Sequence, residues 1–308
     1  MFDNILTVGL QVLVLFLLVF VGYVFGKTGL LKEESAKGLT NLVLYIATPA
    51  AILQSFTSEI KTPGKTKNLF LLFLGSVLIH VITILLAKLF IREKDTQKSR
   101  VMQFAVIFSN CGYMSFPLQK ALLGDIGVFY GAMFVAVFNI ITWTYGAYLM
   151  SGDKKNISPK KILLNPTIIS VFISILLYLS QFKLPSFLSS AVTHLGNLNT
   201  PLPMIIVGFN LSSVGILKVF SDKKIYWPTF LRLAAAPALS FGVLWLIGIT
   251  GIPLIACTVA ASAPAAAISV MFANKFGGDA ALGSKIVSLS TLLSIITMPV
   301  FVALAQMI

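Results

Sequence analysis

Residues 104–119 read Phe104-Ala-Val-Ile-Phe-Ser-Asn110-Cys111-Gly112-Tyr-Met-Ser115-Phe-Pro117-Leu-Gln119. Residues 258–275 read Thr258-Val-Ala-Ala-Ser262-Ala-Pro264-Ala265-Ala-Ala-Ile-Ser-Val-Met-Phe272-Ala-Asn274-Lys275. Both are apolar enough to lie in hydrocarbon, and both carry a helix breaker near the middle. Asn110, Gly112 and Pro117 weaken the first; the second breaks at Pro264, followed by Ala265, among small residues that allow close backbone approach. No water reaches that depth to replace lost backbone hydrogen bonds. Interrupted helices at matching places in two halves of a chain point to a binding site at the bilayer midplane. There, half-helix N-termini offer free N–H groups and a positive dipole end to an anion. A proline kink is the plainer reading of either stretch alone; the pair, with an Asn beside one break, favours a site.

The rest of the chain supports that setting. Of 308 residues, 57% are hydrophobic and 11% charged, and the mean hydropathy is +0.94. A soluble domain carries roughly 25% charged residues, so the composition points to an integral membrane protein and away from disordered, collagen-like or disulfide-framed classes. Gaps between charged residues predict ten spans. They lie between Asp3 and Lys27, Lys37 and Glu59, Lys67 and Lys88, Arg100 and Lys120, Asp125 and Asp153, Lys161 and Lys183, and Lys183 and Lys218. Two more fit between Arg232 and Lys275, split by Gly248-Ile-Thr-Gly-Ile-Pro253, and one follows Lys285. The flank Met1-Phe2-Asp3-Asn4 lacks a basic n-region, so the first apolar run reads as a span and not as a cleaved leader.

With the N-terminus outside, the inside loops 27–38, 88–100, 151–162, 213–232 and 275–285 hold 18 of the 23 Lys and Arg residues. The positive-inside rule then places both termini on the exterior or periplasmic side of a cell membrane. The net charge of +13 is explained by topology and anionic lipid, without a nucleic-acid partner. Two cysteines, Cys111 and Cys257, and two histidines form no cluster with metal-ligand spacing, and no metal or cofactor is expected.

Ten spans divide into five and five, and an odd number per half inverts the second half. Shifting the sequence by half its length lays Pro49 on Pro203, Asn110 on Pro264, and Gly124-Asp125 on Gly278-Asp279. The expected architecture is an all-α polytopic membrane protein. Its two inverted five-helix repeats, 1–150 and 163–308, are joined by a short linker, 151–162, and its fourth and ninth helices are crossed and broken.

Several polar residues fall inside the spans. Asn110, flanked by Ser109, Cys111 and Ser115, offers amide donors and an acceptor to a ligand, or else caps the broken helix. Asn139, Thr142 and Tyr145 share one face of the fifth span and line a cavity or hydrogen-bond to a neighbouring helix. His80 is a candidate proton site in the third span, its dull reading being a neutral side chain bonded to a neighbour. Lys120 and Lys275 end the broken spans, with Asp125 and Asp279 just beyond, as membrane anchors or as an ion lock. All ten Asp and Glu residues lie outside the apolar cores, which disfavours coupling through a membrane carboxylate; neutral ligands such as Asn110 or Thr258 leave a sodium site open.

The block from Asn110 to Asp125, the Asn165-Pro166 pair, and Ser262-Ala-Pro264 with Phe272-Ala-Asn274 together resemble the auxin efflux carrier family, over nearly the whole chain. The resemblance implies an elevator-type secondary transporter for small organic anions. In it a transport domain (spans 3–5 and 8–10) slides against a scaffold (spans 1, 2, 6 and 7, with Pro49 and Pro203), and the scaffold can support a homodimer. It also implies that Asn110 contacts a substrate carboxylate and that Pro117 and Pro264 are the crossover prolines. Two departures stand out. The residue after the ninth-span Pro is typically polar in the plant carriers and is Ala265 here, and the long hydrophilic central loop of many plant members is absent. Rival classes are an ion-coupled symporter of the same fold, a non-transporting receptor, a channel and an intramembrane enzyme. The last lacks both membrane carboxylates and a Ser/His motif.

Overall fold

The computed structural model describes the backbone of residues 2–213 and 216–308, and the side chains of all of these but 2–8, 161 and 216–218. The side chains of Asp3, Lys161 and Lys218, whose charges bound three of the expected spans, therefore lie outside the description. Described residues form helices and turns and no strand. Among the described residues six helices are long and apolar enough to cross a membrane: Gly9–Lys27, Glu33–Thr57, Pro63–Phe90, Asp125–Ser151, Lys223–Leu246 and Ala280–Ala305. The four remaining apolar segments are short or interrupted. Pro166–Ser180 is a single short helix. The fourth segment divides into Thr96–Ile107 and Phe116–Leu123, the seventh into Ser186–Asn197 and Pro201–Ser213, and the ninth into Gly251–Ser262 and Ile268–Phe276. The Lys183–Lys218 gap leaves room for one span plus a lead-in, and the structure divides it into these two helices.

Proline explains where three of the helices widen. Single π-helical turns occur at Val43–Ala47, Cys111–Ser115, Thr142–Gly146 and Leu231–Ala235. In the first, second and fourth, a proline (Pro49, Pro117, Pro237) stands four residues after the central residue of the turn. A proline ring collides with the carbonyl four residues before it and supplies no N–H to that carbonyl. Widening the turn around that carbonyl relieves the collision and rotates the preceding residues relative to the following helix.

Burial sets the layering. In the Asp125–Ser151 helix 72% of the apolar window is enclosed, against 22% in Gly9–Lys27, so the fifth segment is central and the first peripheral. Asp125–Ile141 packs against Thr48–Thr57, Pro63–Phe90 and Gly251–Ser262. Around it, Ala236–Leu246 and Ala280–Ala305 complete a group with both broken segments. On the other side, Thr48–Thr57 contacts Pro166–Ser180 and Ser186–Asn197, while the first helix lies along Pro201–Ser213. Here the Thr48 hydroxyl, beside Pro49, donates to the Asn199 side-chain oxygen at 2.7 Å, tying the second segment to the break in the seventh. At one end of the bundle Lys224 pairs with Glu93 at 3.0 Å and Lys285 with Asp222 at 2.8 Å, joining three turns. The Lys285 ammonium holds the Asp222 carboxyl below the usual carboxylate range.

The first and seventh segments touch backbone to backbone. A Cβ on Gly22 would overlap the Ile205 backbone, one on Gly208 the backbones of Val19 and Tyr23, and one on Gly26 the Ser212 side chain. Gly22-x-x-x-Gly26 against Gly208-x-x-x-Ser212 is a small-residue seam of the kind that joins helices in lipid, where close dispersion contact replaces the hydrophobic drive. Gly208→Val should therefore cost about 1–3 kcal/mol. Thermal melting of the purified protein in detergent checks this, with Gly9→Ala, whose Cβ meets nothing within 4 Å, as the unaffected control.

Candidate functional site: the crossover of two broken helices

The fourth and ninth segments meet at their breaks. The Asn110 N–H donates to the Pro264 carbonyl at 2.7 Å and the Ala266 N–H to the Phe108 carbonyl at 2.9 Å, with Ser109 paired antiparallel to Ala265. Phe108 and Ala263 are extended, which ends each first half-helix abruptly. Pro264 has no N–H, so its carbonyl serves as an acceptor without leaving a donor stranded. The Ala265 N–H reaches the Ser290 hydroxyl on the last helix at 3.1 Å. Asn110 and Pro264, superposed by the half-length shift, are thus bonded to each other.

Asn110 is 5% exposed, and its side chain neither caps the following turn nor bonds to another described residue. This removes the capping alternative. Gly112 lies in the π turn, and a Cβ there would meet nothing within 4 Å, so open space adjoins the break. Pro117 starts the second half-helix near its N-terminus. Cys111 and Ser115 are buried, and the Ser115 hydroxyl has no partner among the described residues. Neither do those of Thr142 and Thr258. The hydroxyls of Ser109 and Ser76 have only the thiols of Cys111 and Cys257 beside them, which are weak partners.

The fifth-segment stripe is divided. The Asn139 carboxamide donates to the Val135 carbonyl at 2.8 Å and accepts from Asn165 at 3.0 Å, so it joins two segments. Tyr145 is half-buried, with the Lys88 ammonium 5.6 Å above its ring. Thr142 alone of the three holds a buried hydroxyl without a partner, in a π turn that displaces it from the regular face. His80 is enclosed, its Nδ1 donating to the Ser76 carbonyl of its own helix at 2.7 Å, and its ring lies against Phe134. Pro49 borders a lipid-side groove, and Pro203 is buried.

The ends of the broken segments differ. Lys120 pairs with Asp125, both half-buried, beside a small pocket shared with Gln54 and Asn199 from the other helix group. Asp279 instead accepts from the Leu282 N–H as a helix cap at 2.9 Å, while Lys275 lies over Trp143 and Phe276. An ion pair thus stands at the end of the fourth segment, and none among the described residues joins Lys275 to Asp279.

Arg232 departs from the expectation of the charge spacing. The spacing puts it at the edge of an inside loop, but it lies within the Lys223–Leu246 helix and is 2% exposed. Its Nη1 donates to the carbonyls of Val106 (3.0 Å) and Ile107 (3.4 Å), and its Nη2 to that of Ala261. These carbonyls end the first half-helices of both broken segments. Two local signals mark the position: Tyr226 and Trp227 form an interfacial aromatic pair five residues earlier, and Pro237 widens the turn that holds the arginine. Nothing in the spacing singles out Gln119, whose amide donates to the Ala256 carbonyl at 2.7 Å and joins the fourth and ninth segments a second time.

Ser290→Ala should strand the Ala265 N–H at a depth without water and cost about 1–3 kcal/mol. Melting curves should show the loss, while Ser294→Ala, whose hydroxyl bonds only to the Thr291 carbonyl of its own helix, stays near wild type.

Residues 7–302 match the model of a family described as membrane transport protein. The chain is 27% identical over 299 residues to an uncharacterized transporter of Methanocaldococcus jannaschii, covering 92% of this chain and 94% of that one. It is 23% identical to an uncharacterized transporter of Methanothermobacter thermautotrophicus, covering 94% and 96%. It is 22% identical to a Rhizobium meliloti protein provisionally named a malonate transporter, covering 93% and 92%. With a match across almost its whole length, the chain belongs to the membrane transport protein family, that of the auxin efflux carriers.

Proposed function

We propose that this transporter moves a small organic anion of the mono- or dicarboxylate class, bound at the crossover. The carrying observation is the unpartnered Asn110 side chain beside the open space at Gly112. The N-terminal ends of the second half-helices begin there, and their free N–H groups and positive dipole ends favour a carboxylate. Arg232 adds a positive charge close to the same break, and no described carboxylate pairs with it. The provisional malonate assignment of one relative agrees in chemical class.

In this reading the chain crosses a cell membrane ten times as two inverted five-helix repeats, 1–150 and 163–308, with both termini outside. The group around the fifth segment is the mobile body, carrying the crossover past a scaffold built from the first, second, sixth and seventh segments. Alternating access then follows from elevator-type sliding, with the small pocket at Gln54 and Lys120 lying on the sliding boundary. An inside-negative potential drives anion export with about 2.3 kcal/mol per charge at 100 mV, so transport needs no coupling ion.

The test is radiolabelled flux in proteoliposomes with malonate, malate and indole-3-acetate, with and without an imposed potential. Wild-type flux should saturate and follow voltage. Asn110→Ala should lower it more than about tenfold while shifting stability by less than about 0.5 kcal/mol, because its side chain holds no structural bond. Gly112→Val, which fills the open space, should raise KM or abolish flux. Binding without flux would make the protein a receptor, non-saturating flux a channel, and full activity in Asn110→Ala would move the site elsewhere.

A further inference from the structure

Arg232 is an anomaly on energetic grounds. A guanidinium this enclosed normally has a carboxylate partner, and none is present among the described residues. Its partners are three backbone carbonyls from two helices, those of Val106 and Ile107 and that of Ala261. They belong to the C-terminal ends of Thr96–Ile107 and Gly251–Ser262. Each such end carries about half a negative charge in its unbonded carbonyls, and together the two ends come close to balancing one cation. Neither break supplies those carbonyls with continuing helical N–H groups.

Two converging half-helix C-termini, with unwound carbonyls, are also the kind of place where ion-coupled carriers hold a sodium ion. Here that position is filled by a side chain. The π turn at Leu231–Ala235, set by Pro237, carries the arginine, and small residues in the ninth segment (Ala260, Ala261, Ala263) leave room for it.

We infer that Arg232 is a resident cation that occupies the place of a coupling ion, so that the crossover is assembled and the carrier runs without sodium. The guanidinium ties the two first half-helices to the eighth segment throughout the cycle. The N-terminal ends of the second half-helices stay free for the anion. The charge that an ion-coupled relative would release at each turnover here never leaves. This inference concerns regulation and coupling at the crossover and rests, for its transport consequence, on the proposed anion site.

The experiment has a substrate-free arm and a flux arm. In the first, the intact protein is melted in detergent in sodium, potassium or N-methylglucamine chloride at equal ionic strength. Wild type should melt at one temperature in all three. Arg232→Met, which keeps an apolar stem of similar length, should melt lower and recover with millimolar methylguanidinium or a small cation in a saturable way. Arg232→Lys should lie between. In the flux arm, replacing sodium by N-methylglucamine should change wild-type flux by less than about twofold. Arg232→Met should lose more than about tenfold, the scale of a lost enclosed charge–dipole contact, and Arg232→Lys should retain part. Wild-type melting or flux that requires sodium overturns the inference, as does Arg232→Met with wild-type stability and flux. Should Arg232→Met fail to fold, the wild-type salt series and Arg232→Lys decide the question. Wild type that carries no organic anion, yet shows the expected melting series, removes the proposed substrate and leaves the resident cation standing.

Discussion

Backbone hydrogen bonding without water is the constraint on which this molecule depends. A helix interrupted in hydrocarbon exposes N–H and C=O groups that cost several kcal/mol each if left alone. Two interruptions placed against one another satisfy much of that requirement, and residues 108–110 and 264–266 do so by pairing as a short antiparallel ladder. Ser290 and Gln119 supply side-chain bonds around it. The crossover is therefore a cooperative object: neither break is tolerable without the other, and both need the surrounding helices in register.

The remaining groups at the crossover sort by sign. Two half-helices end there and two begin there, giving negative and positive ends within one enclosed volume. Arg232 meets the negative ends. The second half-helix of the fourth segment begins beside Asn110 and Gly112, and the buried Ser115 hydroxyl has no partner among the described residues. The separation of those roles depends on helix geometry. Proline four residues beyond a carbonyl widens the turn, and the widened turns at Cys111–Ser115 and Leu231–Ala235 set the directions in which Asn110's neighbours and Arg232 project.

The packing around this centre differs in chemistry from one helix pair to another. The glycine seam between the first and seventh segments brings backbones together, as expected for a rigid pair. The central fifth helix is sealed by apolar side chains and aromatic contacts, including Phe129 against Phe56 and Tyr178. The half-buried Lys120–Asp125 pair lies beside the small pocket that Gln54 and Asn199 also line. Its counterpart at the other end, Lys275 and Asp279, forms separate contacts.

By itself the sequence determined the membrane setting, the ten apolar segments and the two breaks, because span length, charge spacing and the Gly/Pro rules are local and additive. The family was legible in the Asn110–Asp125 block for the same reason. Tertiary structure alone decided which polar residues have partners. The sequence leaves Asn139 open to a cavity or to a neighbouring helix and the structure pairs it with Asn165, whereas Asn110 lacks the cap that its position allows. It also decided the place of Arg232. Counting uncharged residues treats every charge as the edge of a span, and a cation held by carbonyls of two other segments, one of them more than a hundred residues away in sequence, breaks that rule. Hydrogen-bond partners across helices are set by rotation and depth, which depend on the π turns and on packing, and no single-chain periodicity encodes them.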